Sequence, residues 1–135
     1  VKLLEQSFVI FRLPSYARNI RNELSKSQKI YFYDNGIRNA LISAFYPIGL
    51  RDDVGKLWEN YLVSERLKYL HNQLLKRSSY FWRTTQQQEI DYIEEYDNHL
   101  YVYEFKLQNA DKVKLTKTFA NAYPNHTFKA IDKEN

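Results

Sequence analysis

Cysteine is absent from the 135 residues, and so is methionine. Without thiols, neither a disulfide framework nor a cysteine-ligated zinc is possible, and a cytoplasmic location is the expectation. A chain that opens Val1-Lys-Leu-Leu-Glu-Gln6 and holds no Met reads as a piece of a longer protein. Long apolar runs are missing as well. None approaches the ~20 residues of a membrane span, and no signal peptide opens the chain, so no membrane partner is expected. Only three glycines occur, and no Gly-rich phosphate loop, so this chain is not expected to bind ATP itself. The histidines His71, His99 and His126 lack metal-ligand spacing and read as ordinary surface or boundary residues.

What is present describes a globular α/β (α+β) protein. Hydrophobic residues make up 44% and charged residues 27% of the chain, a globular balance. The net charge of +4 permits contact with nucleic acid but falls far short of a histone-like excess. Phe8 to Leu13 and Lys29 to Tyr33 read as strands of a wide-looped hairpin, with the polar stretch from Ser15 to Gln28 as its loop. Asp34 suits the cap of a helix from Gly36 to Phe45. Pro47, Gly49 and Asp52-Asp53 then mark a boundary, giving regions 1–48 and 53–135.

Beyond that boundary the pattern is more regular. Asp53 suits the cap of a helix to about Lys76, with Val54, Leu57, Trp58, Tyr61, Leu62 and Tyr69 on one face. Val63, Leu67, Leu70 and Leu74 form a second stripe. Three strands follow, Ser79 to Thr85, Glu89 to Glu95 and Leu100 to Leu107, then a helix from Asp111 to Tyr123 and a strand from His126 to Ile131. The order is α-β-β-β-α-β: a meander, a crossover helix and a returning strand.

The chemistry concentrates between Glu89 and Lys106. Asp97-Asn98 suits a two-residue hairpin turn. A hairpin centred there opposes Asp91 to Glu104 and Glu89 to Lys106, with opposed Cβ atoms about 4.5–5.5 Å apart. Two facing carboxylates repel, and a divalent cation removes that penalty; oxygen ligands at this spacing suit Mg²⁺ or Mn²⁺. Lys106 beside them could orient or deprotonate a water, or stabilise developing phosphate charge. The bland alternative is a solvated strand face of mixed charge. Against it, Ile93, Leu100 and Val102 share the acidic face, and Ile90, Tyr92, Tyr101, Tyr103 and Phe105 the other, so the hairpin is expected to be buried on both.

Asp91, a short hairpin and Glu104-Phe-Lys106 resemble the D…ExK motif of PD-(D/E)xK nucleases, and the element order is similar to their restriction-endonuclease-like αβββαβ core. The resemblance implies metal-dependent hydrolysis of DNA or RNA, with Asp91, Glu104 and Glu59 as ligands and catalytic residues and Lys106 as the catalytic lysine. Glu59, in Gly55-Lys-Leu-Trp-Glu-Asn60, stands where such nucleases often supply an acid from the first helix, although pairing with Arg66 is an equal reading. Glu89 is expected as a partner of Lys106, outside the ligand set. Lys112, Lys114 and Lys117 give the crossover helix a basic side for substrate phosphates, or simply a solvated face. The segments Lys29-Ile-Tyr-Phe-Tyr-Asp-Asn-Gly36, Gly55…Glu59-Asn60, Tyr80-Phe-Trp-Arg-Thr84 and Glu89-Ile-Asp91 resemble a domain of unknown function that follows AAA+ ATPase modules in bacteria and archaea. That resemblance implies a hairpin left from a winged helix, an ATPase module as partner in the same parent chain, and ATP bound only there. The alternative function is an inactive module that recognises nucleic acid or a partner protein for the ATPase.

Overall fold

A computed structural model describes residues 1–43 and 45–135. The chain divides into two compact units, Val1–Arg12 with Ile30–Leu75, and Leu13–Lys29 with Lys76–Asn135. In chain order the elements are α1 (Lys2–Gln6), β1 (Ile10–Pro14), β2 (Gln28–Phe32), α2 (Asn35–Leu41), α3 (Val54–Asn72), β3 (Ser78–Arg83), β4 (Glu89–Tyr96), β5 (His99–Phe105), α4 (Lys117–Ala122) and β6 (His126–Ile131). Strands β1 and β2 pair with each other, as the hairpin reading required; the other four form a mixed sheet.

The first unit is built on α3. Asn60, buried on that helix, closes a polar ring: its Oδ1 accepts from Phe32 N–H at 2.8 Å, and its Nδ2 donates to Phe32 O and Asn35 Oδ1 at 2.9 Å. A buried amide with its donors and acceptors engaged fixes helix against strand with little freedom. Asp34 caps α2 as expected, accepting from Ile37 N–H. The helix stops at Leu41 and passes into a turn at Ile42 and Ser43 rather than running to Phe45. Asp53 precedes α3 but caps nothing: Arg38 and Arg51 take its carboxylate, and these bonds hold its pKa well below the carboxylate range. The seam that α3 buries runs through Asn60, Val63, Ser64 and Leu70, so the second apolar stripe is buried at Val63 and Leu70; its Leu74 is exposed, beyond the helix end at Asn72 rather than Lys76, as are Tyr61 and Tyr69 of the first stripe.

The second unit is the four-stranded sheet, ordered β3-β4-β5-β6, with β3, β4 and β5 antiparallel and β6 parallel to β5. Its core gathers Trp82, Ile90, Ile93, Leu100, Val102, Phe119 and Tyr123, with Tyr16. Burying one such side chain stabilises a fold by roughly 1.5–3 kcal/mol, so this cluster alone can hold the sheet's inner face. Ile90 lies in the same cluster as Ile93, not on the opposite face. The cause is a bulge: between the pairs Tyr80↔Ile93 and Trp82↔Ile90, β3 has one residue, Phe81, and β4 has two, Asp91 and Tyr92. One extra residue reverses the alternation, bringing Ile90 to the core side. Residues 15–28 are no free loop. Ser15 bridges Phe81, Glu23 bridges Thr84, and Glu23 is a buried carboxylate accepting from Trp82 Nε1 at 3.0 Å and Tyr123 OH at 2.7 Å. Burial, and then its bond to Glu23, push the Tyr123 phenol up to about 12.

The expected helix 111–123 is broken. Ala110–Lys112 forms a 3₁₀ turn entered through Asn109 in the left-handed region, Val113 is extended, and α4 begins only at Lys117, where the Thr116 hydroxyl caps Phe119 N–H. A β-branched Val and a Thr better used as a cap win over helical continuity.

Candidate active site

Asp97 and Asn98 both take positive φ, 52° and 57°, as a type I′ turn requires. The ladder runs Tyr96↔His99 through Tyr92↔Tyr103, the register that the turn implied. Continuing it brings Asp91 beside Glu104, at the β4 bulge. There the backbone ladder yields to a side chain: Phe105 N–H donates to Asp91 Oδ2 at 2.9 Å. That bond anchors Asp91, and its carboxyl group also hydrogen-bonds that of Glu104. Bulges re-aim side chains in this way beside active sites.

Two carboxyl groups in contact cannot both stay ionised cheaply. Burial, then the charge of Asp91 and the bond to it, push the Glu104 carboxyl up to about 8, with Glu89 adding to the rise and Lys106 opposing it. The Glu104 side chain is only 14% exposed, and the Lys106 ammonium stands 3.9 Å from its Oε2. Lys106 itself is 47% exposed, and its backbone N–H donates to Ile131 O on β6. Ala130 is the β6 residue beside Glu104, too small to cover it.

The other expected residues are placed differently. Glu89 pairs not with Lys106 but with Lys29 and with Arg83, whose Nη2 lies 2.7 Å from Glu89 Oε2. Burial alone would raise the Glu89 pKa, but these two cations outweigh it and hold it low. Glu59 belongs to the first unit, where it accepts from the Tyr31 hydroxyl, while Arg66 stacks over the Tyr69 ring. Lys112 sits in the 3₁₀ turn, Lys114 in the extended connector and Lys117 at the first turn of α4, so they share no helix face. Among the described residues no group of three or more His, Asp or Glu is arranged as a metal centre. Arg83 and Lys29 were not singled out from sequence; Arg83 ends β3, and only the pairing of β3 with β4 brings it to Glu89.

These features define a mixed α+β protein whose sheet presents a carboxyl pair and a lysine at one end of a bulged hairpin. Residues 54–133 match the family described as a domain of unknown function (DUF4143), and the chain belongs to that family. Residues 1–48 match a second domain of unknown function (DUF8612). Uncharacterised proteins of Mycobacterium tuberculosis and Mycobacterium bovis are each 30% identical over 105 residues, covering 76% of this chain and 23% of their own length. The chain thus spans about a quarter of the curated relatives that it matches. No solved structure matches it. No helix among the described residues is long and apolar enough to cross a membrane.

Proposed function

We propose that the chain is a nuclease-like domain that hydrolyses phosphodiester bonds of DNA or RNA with a divalent cation, in the manner of PD-(D/E)xK enzymes. The observation that carries the reading is the contact between Asp91 and Glu104 at a bulge, with Lys106 beside it. The donor set suits Mg²⁺ or Mn²⁺: two oxygen ligands, one already anchored by a backbone N–H, in a pair that burial and mutual repulsion hold protonated at Glu104. Asp91 and Glu104 would hold the cation, which when bound would neutralise charge developing on the phosphate. Lys106, exposed at the site's edge, would place the attacking water by donating to it, or meet a nonbridging phosphate oxygen. Lys112, Lys114 and Lys117 are proposed as phosphate contacts, acting separately rather than as one helix face. An ATPase module elsewhere in a longer parent would present the substrate, which fits a chain that spans 23% of its relatives.

The second reading is a recognition module without catalysis. It is favoured by the lack of a three-acid group among the described residues and by the hydrogen bond that Tyr31 donates to Glu59. Incubating the chain with single- and double-stranded DNA and RNA in Mn²⁺ separates the two. Cleavage abolished by Asp91→Asn and by Lys106→Gln supports the enzyme; intact substrates under every condition, with nucleic acid or protein still bound, support the module.

A further inference from the structure

A groove of about 660 Å³ opens at the β3–β4 turn, lined by Leu24, Arg83, Thr84, Thr85, Gln87 and Glu89. Its far wall is the start of β4, so Glu89 stands two residues from Asp91, a separation of about 6–7 Å along an extended strand. The exposed donors of the lining are the Arg83 guanidinium, the Thr85 hydroxyl and the Gln87 amide, while the Thr84 hydroxyl is buried and accepts from Gln88 N–H. Its one carboxylate, Glu89, faces two cations, Arg83 through Nε at 2.8 Å and Nη2 at 2.7 Å, and Lys29 on its other oxygen. The set therefore carries a net positive charge.

The two cations are not equivalent. Lys29 is 16% exposed and lies outside the groove, whereas Arg83 is 36% exposed and forms part of its wall. Both stand over the buried Phe81 ring, at 5.3 and 5.4 Å from its centroid, which limits where they can go. We propose that Arg83 and the Thr84–Thr85 turn form a phosphate-binding subsite for the nucleic-acid strand, adjacent to the carboxyl pair, with Glu89 parking the guanidinium until a phosphate takes it. Lys29 makes the exchange possible, because it keeps Glu89 neutralised after Arg83 leaves. A guanidinium suits both partners, since carboxylate and phosphate offer the same paired oxygens to its fork. The inference deepens the nuclease reading and rests on it for the identity of the ligand.

The test is binding of a short fluorescent DNA duplex, followed by anisotropy in EDTA over a range of salt, so that metal-dependent cleavage plays no part. Arg83→Gln should weaken binding and reduce the slope of log affinity against log salt by about 0.9, the loss of one phosphate contact. Arg83→Lys should keep the slope, and Glu89→Gln should tighten binding by releasing the guanidinium. A merely structural ion pair would leave the slope unchanged in Arg83→Gln and would not tighten binding in Glu89→Gln; that result, or no binding by the wild type, overturns the proposal. Should Arg83→Gln fail to fold, the Glu89→Gln variant decides alone: tighter binding supports the subsite, and unchanged or weaker binding overturns it. Mn²⁺-dependent cleavage, scored separately, tells the two ideas apart. A changed slope without cleavage sinks the nuclease and keeps the subsite, and cleavage with an unchanged slope does the reverse.

Discussion

Replacing Glu104 by Gln should make the metal-free protein more stable at neutral pH and remove most of the pH dependence of its stability. In the folded chain Glu104 keeps a proton up to about pH 8, against an ordinary 4.5 when unfolded. Between those values the folded state binds more protons than the unfolded state, so stability is full below 4.5 and falls as pH rises towards 8. Each unit of that window is equivalent to about 1.4 kcal/mol, a ceiling of about 5 kcal/mol. The carboxyl is still 14% exposed and can relax towards water, so about 2–3 kcal/mol is the expected loss. Urea unfolding in EDTA at intervals from pH 5 to about pH 9 measures it. The wild type should lose stability through the window while Glu104→Gln stays nearly flat, the amide keeping a hydrogen bond to Asp91 without a charge. Parallel curves for the two proteins would refute the account of a Glu104 carboxyl held protonated by burial and by Asp91.

Other expectations follow from the same geometry. Calorimetric titration with Mn²⁺ at pH 7 should show about one proton released per ion, seen as buffer-dependent heat, because the cation displaces the proton on Glu104; Asp91→Asn should abolish the binding while its amide oxygen still accepts from Phe105 N–H. Lys106→Gln should lower the cleavage rate by about 10²-fold or more, with Mn²⁺ affinity little changed. Glu23→Ala should cost about 3 kcal/mol in chemical denaturation, since it strands Trp82 Nε1 and the Tyr123 hydroxyl. Asn98→Val should cost about 1–2 kcal/mol, because a β-branched side chain is forced to a φ of 57°, whereas Asn98→Gly should stay near the wild type.

The hairpin was legible because its information is local. Asp97-Asn98 tolerates positive φ, the turn sets the register, and the register alone brings Asp91 to Glu104. The returning strand His126–Ile131 and the mixed sheet were legible for a similar reason, an apolar run bounded by Pro124-Asn125. The bulge was not, since nothing in Glu89-Ile-Asp-Tyr-Ile announces an extra residue; it exists only against β3, and it moves Ile90 across the sheet. Glu23 defeated a reading by polarity. Its stretch looks like solvent-exposed loop, yet the carboxylate is buried by donors from residues 59 and 100 positions away. Competition among neighbours misled one of the two expected caps: Asp34 caps its helix, but Arg51 and Arg38 claim Asp53 before the next helix can.

Diffraction from crystals soaked in Mn²⁺, with the anomalous signal of manganese located directly, tests the central claim. The account predicts a peak between the carboxylates of Asp91 and Glu104 that vanishes in Asp91→Asn. A peak elsewhere, or no peak at high Mn²⁺, would contradict it.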